Sequence, residues 1–288
     1  MSTAKALLQA ARPRQWPKNL LVLAAPAAAG VLLDHIAVLA GAALLFVVAS
    51  AGVYLINDAV DVEADRRHER KKERPVASGA LPVSVALGAG AVALAAPVIA
   101  AAVLMRDARF ATAIGAYAGI SVAYSLWLKR IVVIDMLAVA SGFIIRSVAG
   151  GILIDIPISK WFVIVVSFGS LFIVAGKRYS QHAGKDTGHQ RISLEAYTSR
   201  YLGDVRSISA AVTLLGYCLW AFERAEGARG GIWIELSIIP FLAIILRYAL
   251  IVEDGAGEFP EEALMGDRFV IVSSVVLAAL LAMGIHAA

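Results

Sequence analysis

The sequence predicts an all-α fold, a polytopic membrane bundle of transmembrane helices that forms a single domain over residues 1–288. Three observations lead to this prediction. Hydrophobic residues make up 60% of the chain and charged residues 17%, whereas soluble domains have about 45–50% and about 25%. Several apolar runs approach the ~20 residues that an α-helix needs to cross a bilayer. Lysine and arginine are also distributed unevenly among the polar segments, as in membrane proteins with a defined orientation.

The apolar runs predict about nine membrane spans. The first is short and is interrupted by Pro26, which a membrane bundle tolerates. Pro82 stands early in the third span, where proline suits the first helical turn. The predicted spans are residues 17–33, 36–57, 81–104, 110–127, 131–152, 160–177, 205–223, 232–252 and 268–287.

The basic residues predict the orientation of these spans. With the N-terminus in the cytoplasm, 20 of the 26 lysines and arginines lie on the cytoplasmic side and five on the other. Positive residues concentrate in cytoplasmic loops, so residues 58–80 and 178–204 are predicted as cytoplasmic loops of a cell-membrane protein. This asymmetry explains the net charge of +4, which therefore does not indicate nucleic-acid binding. The single cysteine, Cys218, excludes an intramolecular disulfide.

Acidic side chains cluster in the stretch NDAVDVEAD, where the second span ends. If the helix of that span continues, one stripe about 100° wide carries an amide and three carboxylates, while Glu63 points to the other side. Clustered carboxylates repel one another unless a cation lies among them, and oxygen ligands favour a hard ion such as Mg²⁺. The alternative is a solvated helix end whose acids pair with the bases that follow. The stripe consists of Asn57, Asp58, Asp61 and Asp65.

Basic and aromatic residues occur at the same predicted membrane surface. The segments RPRQWPKN, ERPVASG and AYSLWLKR each place such residues beside a span, and we expect some of them to face the acidic stripe. The alternative is anchoring at the membrane interface, which is our interpretation of Arg12 and Trp16. The candidates for the site are Lys18, Arg74, Tyr124 and Lys129.

The fifth span carries charge at membrane depth. Asp135, Gly142 and Arg146 lie at i, i+7 and i+11, on one helical stripe. A charged side chain in mid-helix costs roughly 2.5–3.5 kcal/mol on insertion scales, so it usually faces the bundle interior or a wet cavity. Arg146 lies about 16 Å deeper than Asp135 by helix rise. A polar cavity entered from the cytoplasm would accommodate both, and an Asp–Arg structural pair between helices is the alternative.

The sixth span ends in AGKRYSQ, which brings Lys177, Arg178 and Tyr179 to the cytoplasmic surface. These residues are further candidates for the site, with membrane anchoring as the alternative. No role is assigned to Glu195. The acidic segment 253–267 is interpreted as a solvated connection.

Together these residues resemble a known family, the UbiA-type membrane prenyltransferases. The resemblance covers essentially the whole chain and rests on the Asn-Asp-x-x-Asp-x-x-x-Asp pattern at the second span. It implies nine transmembrane helices around a cytoplasm-facing cavity. It also implies that Asn57, Asp58, Asp61 and Asp65 bind pyrophosphate through Mg²⁺, with the three aspartates as metal-binding and catalytic residues.

The sequence departs from the family pattern in one segment. Members that use prenyl diphosphates carry a second motif, Asp-x-x-x-Asp, after the sixth helix. The corresponding segment here is basic and has no such pair of aspartates; it reads GKRYSQHAGKDTGHQRISLEAYTSRYL. A branch of the family that uses phosphoribosyl pyrophosphate and a polyprenyl monophosphate suits this basic segment, since Lys and Arg would hold the additional phosphates. The chain resembles that branch in RPRQWPKN, NDAVDVEADRRH, IRSVAGG, SKWF, GSLFIVAGKRY, LEAYTS and LWAFER.

The resemblance thus implies a Mg²⁺-dependent phosphoribosyltransferase that acts in arabinan cell-wall precursor synthesis. Its partners would be phosphoribosyl pyrophosphate, a polyprenyl phosphate such as decaprenyl phosphate, and the bilayer. Aromatic prenyl transfer from a polyprenyl diphosphate stays open, as do a homo-oligomeric state and a transporter, although the internal repeat expected of a transporter is not found in the sequence. Substrate binding is assigned to Lys18, Asn57, Arg74, Tyr124, Lys129, Arg146, Lys177, Arg178 and Tyr179.

Overall fold

A computed structural model describes residues 2–69, 71–183 and 196–287. Every regular element in these ranges is helical, which confirms the predicted all-α fold. Four 3₁₀-helices occur among them, at Pro13–Leu23, Lys71–Glu73, Leu128–Arg130 and Ala256–Glu258. The α-helices are α1 (Thr3–Ala10), α2 (Ala24–Ala29), α3 (Ile36–Val60), α4 (Val62–Arg67), α5 (Val83–Val103), α6 (Ala108–Leu126), α7 (Ile134–Leu153), α8 (Lys160–Ala183), α9 (Ser199–Ala225), α10 (Gly231–Leu236), α11 (Ile238–Glu253), α12 (Pro260–Gly266) and α13 (Arg268–His286).

Seven helical segments in the described residues are long and apolar enough to cross a bilayer. Many of their large apolar side chains face outward, such as Leu44 (62% exposed) and Val92 (67% exposed), as expected where lipid replaces water. The chain is therefore a multi-pass membrane protein. The seven segments are Ile36–Val60, Val83–Val103, Ile134–Leu153, Lys160–His182, Ser199–Ala225, Gly231–Glu253 and Arg268–Ile285.

Two of the nine predicted spans take a different form. The span predicted at residues 110–127 is α6, a helix of 19 residues that is less apolar than the seven. The span predicted at residues 17–33 consists of the end of the 3₁₀-helix Pro13–Leu23, followed by α2. Pro17 lies inside that 3₁₀-helix, and a proline removes a backbone donor and clashes with the preceding turn. The proline content therefore explains why no long α-helix forms there.

The helices group into two compact units, one of the described residues up to Pro157 and one from Ile158 onward, apart from a segment outside the described residues. In the first unit, α3 packs against α5, and α6 against α7. Gly52 permits the first contact, because a Cβ atom there would lie 2.9 Å from the Gly90 carbonyl oxygen. Phe46 and Phe110 are fully buried in the core of this unit.

In the second unit, α8 packs against α9, and α11 against α13. The ring of Phe172 meets the ring of Tyr248 edge to face at 5.3 Å, and both side chains are buried. The backbone N–H of Gly257 donates to the Ser180 hydroxyl at 3.1 Å, which ties the 3₁₀-helix Ala256–Glu258 to α8. The end of α8 is thus fixed by contacts to the segment that follows α11.

The loop predicted at residues 178–204 is shorter than expected. Helix α8 continues to Ala183, and α9 begins at Ser199. Arg178 donates to Gln181 at 3.0 Å within the continued helix, so polar residues extend α8 beyond the apolar part that the sequence pattern marks. The predicted loop at residues 58–80 likewise contains the end of α3, then α4 and the 3₁₀-helix Lys71–Glu73.

Candidate active site

The acidic stripe lies where α3 ends. The helix stops at Val60, and Asp61 has φ −91° and ψ 7° before α4 resumes. The backbone stays nearly helical through this break, since Asp61 N–H donates to the Asn57 carbonyl at 2.9 Å and Asp65 N–H to the Asp61 carbonyl at 2.8 Å. The assumption of one continuous helix is therefore wrong in detail. Asp58 and Asp65 are buried, whereas Asn57 and Asp61 are half-buried.

Each of the three carboxylates pairs with a base. Arg74 reaches Asp58 at 3.2 Å and Asp65 at 2.6 Å, so one guanidinium holds two acids. Lys129 Nζ lies 2.5 Å from Asp61 Oδ1. The alternative in which the acids pair only with the bases that follow applies to Arg74, but Lys129 comes from a segment 68 residues away. The site is thus assembled by tertiary contacts.

Arg12 is the third base of the cluster, and its interpretation as an interface anchor is wrong. Its guanidinium donates to the Asp58 carboxylate and lies over the Tyr54 ring, 4.7 Å from the centroid. Arg12 has φ 53°, in the left-handed region, which is uncommon for a residue other than glycine. This turn after α1 directs the chain so that the side chain reaches α3. The signal in the sequence was Arg12 itself in RPRQWPKN, which membrane anchoring explained equally well.

Other residues of this region lie around the cluster or away from it. Glu63 pairs with Arg66 at 2.7 Å on the surface, away from the three acids, in agreement with its predicted angular position. Lys18 and Tyr124 are half-buried, in the 3₁₀-helix Pro13–Leu23 and in α6. Asn19, next to Lys18, is buried and donates to the Ser50 hydroxyl at 3.2 Å, which holds the 3₁₀-helix to α3.

Arg146 is buried in α7, and its partners among the described residues are aromatic. It donates to the Tyr117 hydroxyl at 3.2 Å, and its guanidinium lies 4.9 Å from the Tyr117 ring centroid and 5.1 Å from that of Phe143. Its buried Nε has no hydrogen-bond partner, and among the described residues no carboxylate lies within ion-pair distance. For Arg146, the alternative of an Asp–Arg structural pair is therefore wrong; Asp135 is buried in the same helix. Arg146 has unused capacity for an anion.

In the second unit, the end of α8 carries its own polar cluster. Tyr179 donates to Glu253 at 3.0 Å, and Arg206 forms an ion pair with the same carboxylate while stacking over the Tyr179 ring at 4.7 Å. Arg178 is buried and Lys177 half-buried beside it in sequence. The interpretation of segment 253–267 as a solvated connection missed the role of Glu253. No pattern in the sequence marks Arg206 and Glu253 as partners, and Glu195 lies outside the described residues.

The acidic residues fit a divalent cation if further ligands, such as substrate phosphates, complete its coordination. Within the described residues, no three His, Cys, Asp or Glu side chains are close enough to hold a metal by themselves, so the predicted convergence of three carboxylates on one point is wrong. The Asp61 carboxylate pairs with Lys129. Asp58 and Asp65, which share Arg74, are two oxygen donors on one side. Mg²⁺ usually binds through one or two carboxylates together with substrate phosphates, so this pair suits it.

The fold and the site define a polytopic membrane protein with a buried cluster of acids and bases. The model of the UbiA prenyltransferase family matches residues 20–265, so the chain belongs to this family, as predicted. A solved UbiA homolog from Archaeoglobus fulgidus, bound to GPP and Mg²⁺, has the same fold, with a TM-score of 0.69 over 98% of this chain and 99% of that one at 18% identity.

Curated relatives are more similar in sequence. The chain is 44% identical over 276 residues to decaprenyl-phosphate phosphoribosyltransferase from Mycobacterium tuberculosis, covering 91% of this chain and 88% of that protein. It is 42% identical over 273 residues to the protein of the same name from Corynebacterium glutamicum, covering 92% and 82%. These relatives are named as transferases, which confirms the prediction that the chain is an enzyme.

Proposed function

We propose that the protein transfers 5-phosphoribose from phosphoribosyl pyrophosphate to a polyprenyl phosphate and releases pyrophosphate. The observation that carries this proposal is the pairing of three buried or half-buried carboxylates with three bases from separate segments. Such a site offers oxygen ligands for a cation and cationic donors for phosphates in one place. The names of the relatives that are 44% and 42% identical support this choice of donor and acceptor.

Asp58 and Asp65 would hold Mg²⁺ against the donor pyrophosphate, with Asp61 and Asn57 beside them. When bound there, the ion would neutralise charge that builds up on the leaving pyrophosphate. Arg12 and Arg74 contact these two carboxylates and Lys129 contacts Asp61, so the three bases would meet the phosphate oxygens that arrive with the donor. Cations aimed at developing negative charge in a site of low polarity contribute strongly to catalysis.

The acceptor needs no general base, because its phosphate is already an anion. An oxygen of the polyprenyl phosphate would attack ribose C1 as the bond from C1 to the pyrophosphate oxygen breaks. Attack from the opposite face gives a β-linked polyprenyl-phosphoryl 5-phosphoribose, and the bonding electrons leave with pyrophosphate. The protein then contributes position and electrostatics. Arg146, buried with an unused donor, suits one of the phosphates that the cation does not hold.

The remaining predicted residues belong to the same proposal. Lys18 and Tyr124 would bind phosphate or ribose hydroxyl groups, and the sequence prediction gives the same role to Lys177, Arg178 and Tyr179. The concentration of lysine and arginine on one side of the predicted topology supports placing this end of the helices in the cytoplasm. A water-soluble donor such as phosphoribosyl pyrophosphate would then reach the site from that side.

The decisive experiment supplies purified protein in detergent with Mg²⁺, phosphoribosyl pyrophosphate labelled in the ribose, and decaprenyl phosphate. The proposal predicts a labelled lipid and an equal amount of pyrophosphate. Parallel reactions receive a polyprenyl diphosphate and an aromatic acid, since the family model is that of prenyltransferases. Prenylated aromatic product without ribosylated lipid would replace the proposal by the aromatic reaction, and no product in either reaction would contradict both.

A further inference from the structure

The acidic cluster is electrically balanced by its own protein. Three acids, Asp58, Asp61 and Asp65, meet three bases, so the six side chains together carry no net charge. Their surroundings exclude much of the solvent: the Asp58 side chain is 2% exposed and the Lys129 side chain 11% exposed. Arg12 and Arg74 keep 28% and 27% of their side-chain surface. Charge balance therefore matters more here than at an open surface.

A divalent cation that arrives alone meets competition at this cluster. At these carboxylates it competes with Arg12 and Arg74, which both contact Oδ1 of Asp58, and with the further contact of Arg74 to Oδ2 of Asp65. Both guanidiniums belong to the protein and stay nearby, so they would be left beside a dication without a counter-ion. Two positive groups close together in a poorly solvated place repel each other strongly.

A cation that arrives with pyrophosphate meets a different balance. The phosphate oxygens accept hydrogen bonds from the displaced guanidiniums and from Lys129, in the bidentate geometry that arginine favours. Every positive group then has a partner again, and the carboxylates have the metal. The exchange replaces one satisfied network with another.

We propose that Arg12, Arg74 and Lys129 are built-in counter-ions that keep metal alone out of the acidic cluster, so that metal and pyrophosphate bind as a pair. The inference rests on the proposed function in one respect, that the donor brings a pyrophosphate group. Coupling between two ligands is reciprocal, so each raises the affinity for the other by the same factor, typically about 5- to 150-fold.

Mn²⁺ provides a direct test, because the signal of the free ion is measured by electron paramagnetic resonance. We expect wild-type protein to bind Mn²⁺ alone weakly at this site. Arg12→Gln and Lys129→Gln, which release different carboxylates, should each bind it about tenfold more tightly, within the usual range of coupling. Arg12→Lys retains the charge and should therefore bind Mn²⁺ alone as weakly as wild type.

Labelled inorganic pyrophosphate with saturating Mn²⁺ gives the second measurement. Here the same two glutamine variants should bind more weakly than wild type, since each has lost a phosphate partner. Opposite changes for the two ligands distinguish a counter-ion from a residue that merely stabilises the fold, whose loss would weaken both. Arg109→Gln is the matched control, because Arg109 pairs with Asp155 at 2.8 Å elsewhere in the same unit, and it should change neither measurement.

Two further results show whether Mn²⁺ binds at Asp58 and which outcomes contradict the inference. The gain in Mn²⁺ affinity should disappear when Asp58→Asn is added to Arg12→Gln; a gain that persists places the metal elsewhere and overturns the inference. So does Mn²⁺ affinity in the glutamine variants no higher than in wild type. Because the probes are Mn²⁺ and inorganic pyrophosphate, a protein that makes no ribosylated lipid can still pass this test, and the two proposals fail separately.

Discussion

Replacing Asp58 with asparagine should reduce phosphoribosyl transfer by at least about 100-fold in a protein that still folds. Asparagine keeps the shape of the side chain but removes the charge that pairs with Arg12 and Arg74. Loss of one group that stabilises developing charge typically costs about 10²–10³ in rate, or about 2.7–4 kcal/mol. We place Asp58 in that class because its carboxylate is buried and would hold the cation on the leaving group.

The cost to folding should be smaller. In the variant, Arg74 retains its ion pair with Asp65, at 2.6 Å, and Arg12 retains its position over the Tyr54 ring, 4.7 Å from the centroid. One charge-assisted hydrogen bond is worth about 1.5–3 kcal/mol, and asparagine can still accept a weaker one. We therefore expect a lower thermal midpoint in detergent and an unchanged elution volume on size exclusion.

The measurement is initial-rate formation of ribosylated lipid from labelled phosphoribosyl pyrophosphate, at matched amounts of folded protein. Glu63→Gln is the control, because this acid of the same segment is 69% exposed and pairs with Arg66 at the surface. It should retain wild-type activity within about twofold, as expected of a surface pair. Activity of Asp58→Asn within a few-fold of wild type, or an equal loss in Glu63→Gln, would refute the reasoning.

Three further predictions concern other parts of the chain. Arg146→Gln should lower kcat/KM at least about tenfold by weakening phosphate binding, since a charged hydrogen bond is worth roughly 1.5–3 kcal/mol; steady-state kinetics with each substrate varied shows which phosphate it holds. Gly150→Ala should destabilise the protein by about 1–3 kcal/mol, because its Cβ would lie 2.0 Å from the Val22 carbonyl oxygen; thermal unfolding in detergent measures this. Hydrogen bonds from Arg247 lower the pKa of the Asp267 carboxyl. Wild type should therefore be more stable than Asp267→Asn at pH 7, and this difference in stability should disappear as the pH falls below about 3.9 and through the lower pKa of the folded state.

Each of these predictions has a control or a contradicting outcome. Tyr117→Phe removes the 3.2 Å hydrogen bond to Arg146 but leaves the charge, so its effect on kcat/KM should be the smaller one. Gly115→Ala places a Cβ with no atom within 4 Å and should leave the thermal midpoint unchanged. For Asp267, asparagine can keep the cap that accepts from Val270 N–H at 3.0 Å, so a stability difference independent of pH would contradict the charge explanation.

The fold could be predicted to a large extent because span prediction depends on local composition. Seven of the expected spans coincide with long apolar helices, whose hydrophobic residues lie in uninterrupted runs. The predicted helix boundaries were less accurate where proline or polar residues interrupt the apolar pattern. Around Pro17 the chain forms a 3₁₀-helix where a span was expected. Helix α8 continues through the polar residues Lys177 and Arg178, and Arg178 donates to Gln181 within the helix.

The position of Glu63 at the surface followed from spacing, as did the proximity of Asp58 and Asp65, which share Arg74, but the predicted convergence of Asp61 with these two acids did not hold. Which base meets which acid did not follow from spacing. Arg12 is 46 residues from Asp58, and Lys129 is 68 residues from Asp61. Pairing over such separations depends on how α1, α3 and α6 pack, and no residue pattern in one segment encodes it.

The sequence by itself determined the membrane class, the family and the acidic stripe, because hydrophobicity, charge asymmetry and helical spacing are properties of single segments. The tertiary structure alone decided that the stripe is neutralised by bases from three other segments, and that Arg146 lies buried among aromatic rings with a donor unused. The physical reason is that an ion pair forms only where packing brings two side chains together and water is excluded. The balance of charge at this site is therefore a property of the folded unit.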